Sequence, residues 1–146
     1  MRVAKKVYLD ANVLIYYCTG DKKVIECIKY LIANRRKEVL FTSNLSIIQT
    51  IAKLQTKRGE RKAYSKAQIQ SYINFFSEKL TWLNVSDSDI KEAFLLDNKD
   101  IEDNIHYIIS RKRKCDIIIT ANKKDFNFTD IIAVLPEKSL IASKIR

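Results

Sequence analysis

The stretch Asp116-Ile117-Ile118-Ile119-Thr120 decides the fold that this sequence predicts. Its three consecutive isoleucines leave no polar face, which is typical of a central strand in a parallel sheet covered by helices on both sides. Parallel neighbours cannot be joined by a tight turn, so such a strand needs a crossover segment before and after it. We therefore expect strands and helices to alternate on either side of this stretch.

The flanking sequence alternates in this way. Short apolar runs predict four further strands, and apolar residues at three- and four-residue spacing predict the helices between them. Right-handed βαβ units then place a parallel sheet between two layers of helices. We expect an α/β fold, a three-layer α/β/α sandwich, formed by residues 1–146 as a single domain. The four further strands are expected at residues 7–9, 39–42, 82–85 and 131–135.

Capping residues mark where the helices should begin. A Ser, Asp or Asn before an apolar-periodic segment accepts hydrogen bonds from the first free N–H groups of a helix. Such residues predict helix starts at Asp21, at Ser43 or Asn44, at Ser65 and at Ser86. A helix over residues 105–111 is expected to follow a polar loop at 97–103. In the helix after Ser43 we expect one buried face, made of Leu45, Ile48, Ile51, Ala52 and Gln55.

The composition indicates a cytoplasmic protein that contacts a polyanion. A formal net charge of +10 attracts nucleic acid, although a lysine-rich surface exposed only to water would carry the same charge. Two glycines and one proline argue against a Gly-rich phosphate loop. Three cysteines without zinc-site spacing predict free, buried thiols in a reducing compartment. We expect neither a signal peptide nor a membrane span.

Acidic and amide side chains follow two of the predicted strands. Asp10 and Asn12 come directly after the first strand, and Thr120, Asn122 and Asp125 follow the Ile-rich strand. Ligands of open α/β sheets bind beyond the carboxyl ends of the strands, so these side chains should lie at one edge. Asp103 begins the helix that leads back into the Ile-rich strand and should join them.

Three converging carboxylates would repel one another unless a cation lies between them. Oxygen ligands select a hard ion, Mg²⁺ or Mn²⁺, which can activate water against a phosphodiester. Asp10, Asp103 and Asp125 are the predicted metal ligands, and the chemistry predicted is metal-assisted phosphodiester hydrolysis. Taken one at a time, however, each of these residues is better explained as a helix cap, and only their joint placement at one sheet edge favours the catalytic role.

Cationic runs offer contacts for a nucleic acid. The run Arg111, Lys112, Arg113 and Lys114 is predicted to bind RNA, and residues 35–37 and 57–62 contain similar clusters. Each run is also explained as a group of cations that stabilises the carboxyl end of a helix. His106 is the single histidine, and we expect it to be packed or solvated rather than catalytic.

Three segments together resemble the PIN-domain family, in particular its VapC-type toxins. Residues 8–15 (YLDANVLI) resemble the opening motif, residues 102–106 (EDNIH) the helix of the third acid, and residues 115–126 (CDIIITANKKDF) the closing motif. Residues 134–137 (VLPE) resemble the usual tail. The resemblance spans nearly the whole chain. It implies a Mg²⁺-dependent endoribonuclease that is silenced by a cognate antitoxin and that can form a homodimer.

The sequence departs from the family pattern at two positions. Gln49 stands where the resemblance implies the second acid, a Glu on the helix after the second strand, and Asn122 stands where many relatives have Asp. A Gln amide oxygen can still bind a metal or orient its water, but it brings no charge. Gln49 and Asn122 therefore join the three acids as predicted catalytic residues, with Asn12 and Thr120 expected to orient the substrate.

Three functions remain open at this point. The first is an active ribonuclease. The second is a degenerate PIN domain that binds RNA or a protein with little or no cleavage, which the uncharged Gln49 favours. The third is an unrelated doubly wound regulator, such as a phosphoacceptor domain, but the chain lacks the acidic pair which that class has beside its first strand.

Overall fold

The five predicted strands form one fully parallel sheet in the computed structural model, which describes residues 4–145. They are β1 (Val7–Leu9), β2 (Leu40–Ser43), β3 (Thr81–Leu83), β4 (Ile117–Ile119) and β5 (Ile132–Val134). Their order across the sheet is β3-β2-β1-β4-β5, and the Ile-rich strand β4 pairs with β1 on one side and β5 on the other. The chain therefore leaves β1 toward one side of the sheet and later crosses to the other side, which makes the β1–β4 boundary the switch point where such folds bind ligands.

Helices cover both faces of this sheet, as the all-apolar β4 predicts. Residues 4–145 contain α1 (Ala11–Cys18), α2 (Lys22–Asn34), α3 (Asn44–Gln55), α4 (Lys66–Lys79), α5 (Asp87–Ala93), α6 (Ile101–Lys112) and α7 (Lys138–Lys144). Residues of α1–α4 and α7 pack on one face, against Val7 and Ile117. Residues of α6 and the end of α5 pack on the other face, against Tyr8 and Ile118. The expected three-layer α/β/α sandwich is confirmed.

The predicted helix caps are present. Asp21, Ser43, Ser65 and Ser86 each accept a hydrogen bond from a backbone N–H in the first turn of the helix that follows. Ser65 and Ser86 form complete capping boxes, with Gln68 and Asp89 respectively. Gly20 has a φ of +91°, and this left-handed conformation turns the chain between α1 and α2.

Two expected features of the helices were wrong. Helix α6 begins at Ile101 rather than residue 105, because Asp100 acts as its cap and accepts a hydrogen bond from the Asp103 N–H. In α3 the buried residues are Ser46, Ile47, Thr50 and Leu54, whereas Ile48 is 62% exposed. Ser46 and Thr50 can be buried because the Thr50 hydroxyl donates to the Ser46 carbonyl and the Ser46 N–H to the Ser43 hydroxyl.

The three cysteines are free and buried, as expected. Burial raises the pKa of the Cys18, Cys27 and Cys115 thiols to about 12. None of the helices that the structure describes combines the length and the apolar character that a membrane crossing requires.

Candidate active site

An acidic cleft opens at the carboxyl edge of the sheet, beside the β1–β4 boundary. Its volume is about 420 Å³, and it lies between the start of α1, one face of α3 and the start of α6. Four acidic side chains line it, together with amide, imidazole and ammonium groups. The polar side chains of this acidic cleft are Asp10, Asn12, Gln49, Lys53, Asp100, Glu102, Asp103, His106 and Asn122.

Asp10 is held rigidly at the floor of the cleft. It follows β1 and caps α1: its Oδ1 accepts the Ala11 N–H at 2.7 Å, and its Oδ2 accepts the Thr120 hydroxyl at 2.9 Å. The Thr120 oxygen in turn accepts the Asn122 N–H at 3.0 Å. Asn12 accepts the Ala121 N–H at 3.1 Å and so joins the loops after β1 and β4. Thr120 and Asn12 thus fix the geometry of the cleft through these bonds.

Asp103 is the carboxylate that lacks partners. It is 7% exposed, and within the described residues its Oδ2 is buried without a hydrogen bond. Burial, followed by the charges of Asp10, Asp100 and Asp125, raises the pKa of Asp103 to about 7. A buried carboxylate that is short of hydrogen bonds and surrounded by like charges favours either a proton or a cation.

His106 lies one helical turn beyond Asp103 and is almost fully buried. Its Nδ1 is 2.6 Å from the Tyr8 hydroxyl, and its Nε2 is 2.9 Å from Gln49 Oε1 and 3.4 Å from Asp10 Oδ1. Burial lowers the pKa of His106, against the opposing charge of Asp10. His106 Nε2 thus lies between two acceptor oxygens, which a proton on that nitrogen would satisfy. His106 is therefore packed, as expected, and it also orients two groups of the cleft.

Gln49 points into the acidic cleft from α3. While its Oε1 faces His106, its Nε2 donates to Glu102 Oε2 at 2.8 Å. Glu102 thus brings to the cleft a carboxylate that the sequence reasoning did not select, and Asp100 brings another. The signal that could have found both is the acid-rich start of α6, where negative charge favours a helix amino terminus.

Asn122 and Asp125 follow β4, as predicted, but only Asn122 lines the cleft. Asp125 ends a short 3₁₀ turn, Lys123–Asp125, and is exposed. Its backbone carbonyl accepts the Asn98 side chain at 2.9 Å, and its charge still contributes to the raised pKa of Asp103. Asp10 and Asp103 therefore line the cleft, whereas Asp125 lies outside it and acts on Asp103 through its charge.

The cationic run Arg111, Lys112, Arg113 and Lys114 does not reach the acidic cleft. Helix α6 has 12 residues, about 18 Å in length, and carries Asp103 at one end and the run at the other. Arg113 and Lys114 line a separate depression with Lys6, at the amino edge of the sheet. Arg111 and Lys112 form ion pairs with Glu92 and Asp89.

The donor set fits a small hard cation. Across residues 4–145 no three His, Cys, Asp or Glu side chains are grouped closely enough to enclose a metal by themselves. Mg²⁺ does not need such a group, because it retains several waters and binds through one or two carboxylates. The buried, unpartnered Oδ2 of Asp103, close to Asp10, is the kind of donor that such an ion requires.

Comparisons with known proteins agree with this geometry. A PIN domain family model matches residues 6–124. Ribonuclease VapC1 from Aquifex aeolicus (strain VF5) is 27% identical over 144 residues, which cover 92% of this chain and 93% of the relative. The fold is similar to that of VapBC2 from Rickettsia felis, solved with a DNA fragment from its promoter, with a TM-score of 0.65 at 14% identity over 88% of this chain and 97% of that one.

A second similar structure is VapC20 of Mycobacterium tuberculosis, described as a Sarcin-Ricin loop cleaving toxin. The TM-score is 0.63 at 15% identity, over 87% of this chain and 99% of that one. The matched segment contains both edges of the acidic cleft, from Asp10 to Asn122. The chain belongs to the PIN domain family.

Proposed function

We propose that this chain is a metal-dependent endoribonuclease and the toxin of a toxin–antitoxin pair. The observation that carries the proposal is the buried, unpartnered carboxylate of Asp103 beside Asp10, at the switch point of a PIN-domain sheet. The similarity to Ribonuclease VapC1 supports RNA as the substrate. The VapBC2 complex among the similar folds supports a cognate antitoxin as partner. We include a homodimer as a possible assembly in this proposal.

In this proposal Asp10 and Asp103 hold Mg²⁺ or Mn²⁺, and Asp125 adds negative potential from the rim. When bound, the ion supplies an activated water and stabilises charge that develops at phosphorus. The residues around it set the geometry. Asp10 is oriented by the Ala11 N–H and the Thr120 hydroxyl. His106 directs its Nε2 proton toward Asp10 and Gln49, and so fixes where these oxygens lie.

Gln49 and Asn122 are proposed as neutral members of the catalytic set. Gln49 joins α3 to α6 through His106 and Glu102, so it determines how close the Glu102 carboxylate stands to the other acids. Asn12 and Thr120 act as positioning residues, since their side chains bond to the Ala121 N–H and to Asp10. Substrate orientation by these two residues is then indirect.

The proposal is tested by incubating the purified protein with structured RNA, with and without Mg²⁺ or Mn²⁺. Cleavage is expected only with the metal, and Asp103→Asn should abolish it while leaving the protein folded. A matched control is Asp97→Asn, which removes one carboxylate from an exposed position outside the cleft. Metal-independent cleavage, or equal activity of the two variants, would overturn the metal-site assignment.

A second candidate is a PIN domain that binds RNA or a protein without cutting. It is favoured by the amide of Gln49, which is occupied by His106 and Glu102 and carries no charge. Under this alternative the wild-type protein binds RNA but stays inactive at saturating Mn²⁺. Gain of cleavage on Gln49→Glu would then identify the missing charge as the cause.

A further inference from the structure

A basic turn follows α3, the helix that forms one wall of the acidic cleft. Lys53 lines the cleft one helical turn beyond Gln49, on the same face of α3. The helix ends at Gln55, and residues 57–62 (KRGERK) form the turn that follows, here named the basic turn. Lys53 and the basic turn together contain five cations and one acid. The chain thus carries a concentration of positive charge from Lys53 on the cleft wall through the turn that follows α3.

The basic turn has a defined conformation. Arg58 and Arg61 exchange backbone hydrogen bonds of 3.0 and 2.8 Å across Gly59, whose φ of +56° allows the tight reversal. Arg61 Nη2 donates to the carbonyls of Lys53 and Thr56, each at 3.1 Å, and so ties the turn to the end of α3. The remaining cations of the turn are held in place relative to the cleft without using their own charged groups.

These cations are also free of acid partners. Within residues 4–145, none of the cations of Lys53 and the basic turn forms an ion pair. By contrast, Arg111 and Lys112 at the amino edge are paired with Glu92 and Asp89, and stand a helix length away from the carboxylates. Unpaired cations release counterions when they meet phosphates, whereas paired ones must first lose a protein partner.

We propose that Lys53 and the basic turn are the phosphate-binding track that guides single-stranded RNA into the acidic cleft. This inference rests on the proposed function and names its substrate path. Four acids in the cleft repel a phosphate backbone, so a strand can approach them only where cations offset that repulsion. Lys53 lies on the wall of the cleft itself and therefore favours a strand that enters it over a protein that only contacts the rim.

The test is a salt titration of RNA binding. A fluorescent single-stranded oligoribonucleotide is bound in EDTA, so that no hydrolysis occurs, and log affinity is plotted against log salt. Lys57→Gln/Arg58→Gln removes two cations from the basic turn and should flatten the slope by about 1.4, since each phosphate contact on a single strand contributes about 0.7. Lys53→Gln should flatten it by about 0.7.

Two controls accompany these variants. Arg113→Gln/Lys114→Gln removes the same charge from exposed residues at the opposite edge and should leave the slope unchanged. Lys57→Arg/Arg58→Lys keeps the charge and should behave as wild type. Circular dichroism confirms that each variant is folded. Equal flattening by the two double Gln variants, or a larger effect at the opposite edge, overturns the proposal.

Cleavage by the wild type in Mn²⁺ separates this inference from the proposed function. A flattened slope in the basic-turn variant, with a wild type that does not cut, supports the track and overturns the nuclease. A wild type that cuts, with an unchanged slope in the basic-turn variant, supports the nuclease and overturns the track. A track that serves a protein ligand instead of RNA gives this same unchanged slope.

Discussion

Replacing Gln49 by Glu tests the arrangement at the centre of the cleft. In the wild type the amide donates to Glu102 Oε2 at 2.8 Å, and the change puts a second carboxylate at that contact. The lost hydrogen bond to a charged group costs about 1.5 kcal/mol. Repulsion between the two acids adds about 1–2 kcal/mol, near the lower end of the range because Glu102 is exposed and the pair can separate.

A stronger bond from His106 Nε2 to the new carboxylate offsets about 1 kcal/mol of that cost. The expected net loss in the free energy of unfolding, without metal, is therefore about 2 kcal/mol. For a chain of this length it lowers Tm by about 4–8 °C. Saturating metal offsets most of this loss, because the added charge becomes a ligand: a tenfold gain in affinity corresponds to about 1.4 kcal/mol.

The assay is a set of thermal melts across a Mn²⁺ titration, and RNA cleavage is measured in parallel. Metal at about 100 times its dissociation constant stabilises the folded state by about 2.7 kcal/mol, so the variant should regain at least the Tm of the metal-free wild type. Gln49→Met removes both amide bonds without adding charge and isolates the hydrogen-bond contribution. Gln49→Glu/Glu102→Gln exchanges acid and amide and should restore apo stability. Identical melts and identical metal responses in wild type and Gln49→Glu would refute the Gln49–Glu102 contact.

Three further predictions follow from the same geometry. Asp10→Asn should abolish cleavage and change stability by less than about 1 kcal/mol, because the Ala11 N–H keeps an oxygen acceptor; cleavage at the wild-type rate would contradict this. The raised pKa of Asp103 means that the folded state binds more protons than the unfolded chain between about pH 4 and pH 7, so its contribution to stability falls as pH rises through that window. In metal-free melts Asp103→Asn should therefore exceed wild type by about 2 kcal/mol near pH 8, allowing for solvent in the open cleft, and match it below about pH 4; a gap independent of pH would exclude this explanation. Tyr8→Phe leaves His106 Nδ1 without its partner at 2.6 Å and should cost about 1–3 kcal/mol, measured by urea unfolding; an unchanged midpoint would show that the bond is not formed.

The parts of the fold that depend on local signals could be read from the sequence. The all-apolar β4 predicted a doubly covered parallel sheet, and single capping residues such as Asp21 and Ser65 marked helix starts because their side chains act within one turn. The buried face of α3 could not be read in this way. Ser46 and Thr50 count as polar in a periodicity pattern, yet they are buried because the Thr50 hydroxyl donates to the Ser46 carbonyl and the Ser46 hydroxyl is hydrogen-bonded to the Ser43 side chain.

In the candidate site, too, some features could be predicted from the sequence and others could not. Parallel strands bring Asp10 and Asn122 to one edge whatever the details, so topology alone predicted their proximity. The bridge from Gln49 to Glu102 and His106 depends on how α3 packs against α6, which residue spacing does not report. The charge of the run at residues 111–114 was visible in the sequence, but its position at the far end of α6 follows only from the length and direction of that helix.

The reactivity of the three buried thiols should report local unfolding of the protein. A thiol reacts with a disulfide reagent only as the exposed thiolate, so at neutral pH a cysteine that is both buried and raised in pKa to about 12 should label only when its surroundings open. Cys18 and Cys27 lie in the core on one face of the sheet, and Cys115 lies in the core on the other. Labelling rates measured for each thiol would report the two layers separately. Equal rates would mean that both helical layers detach from the sheet in a single cooperative event.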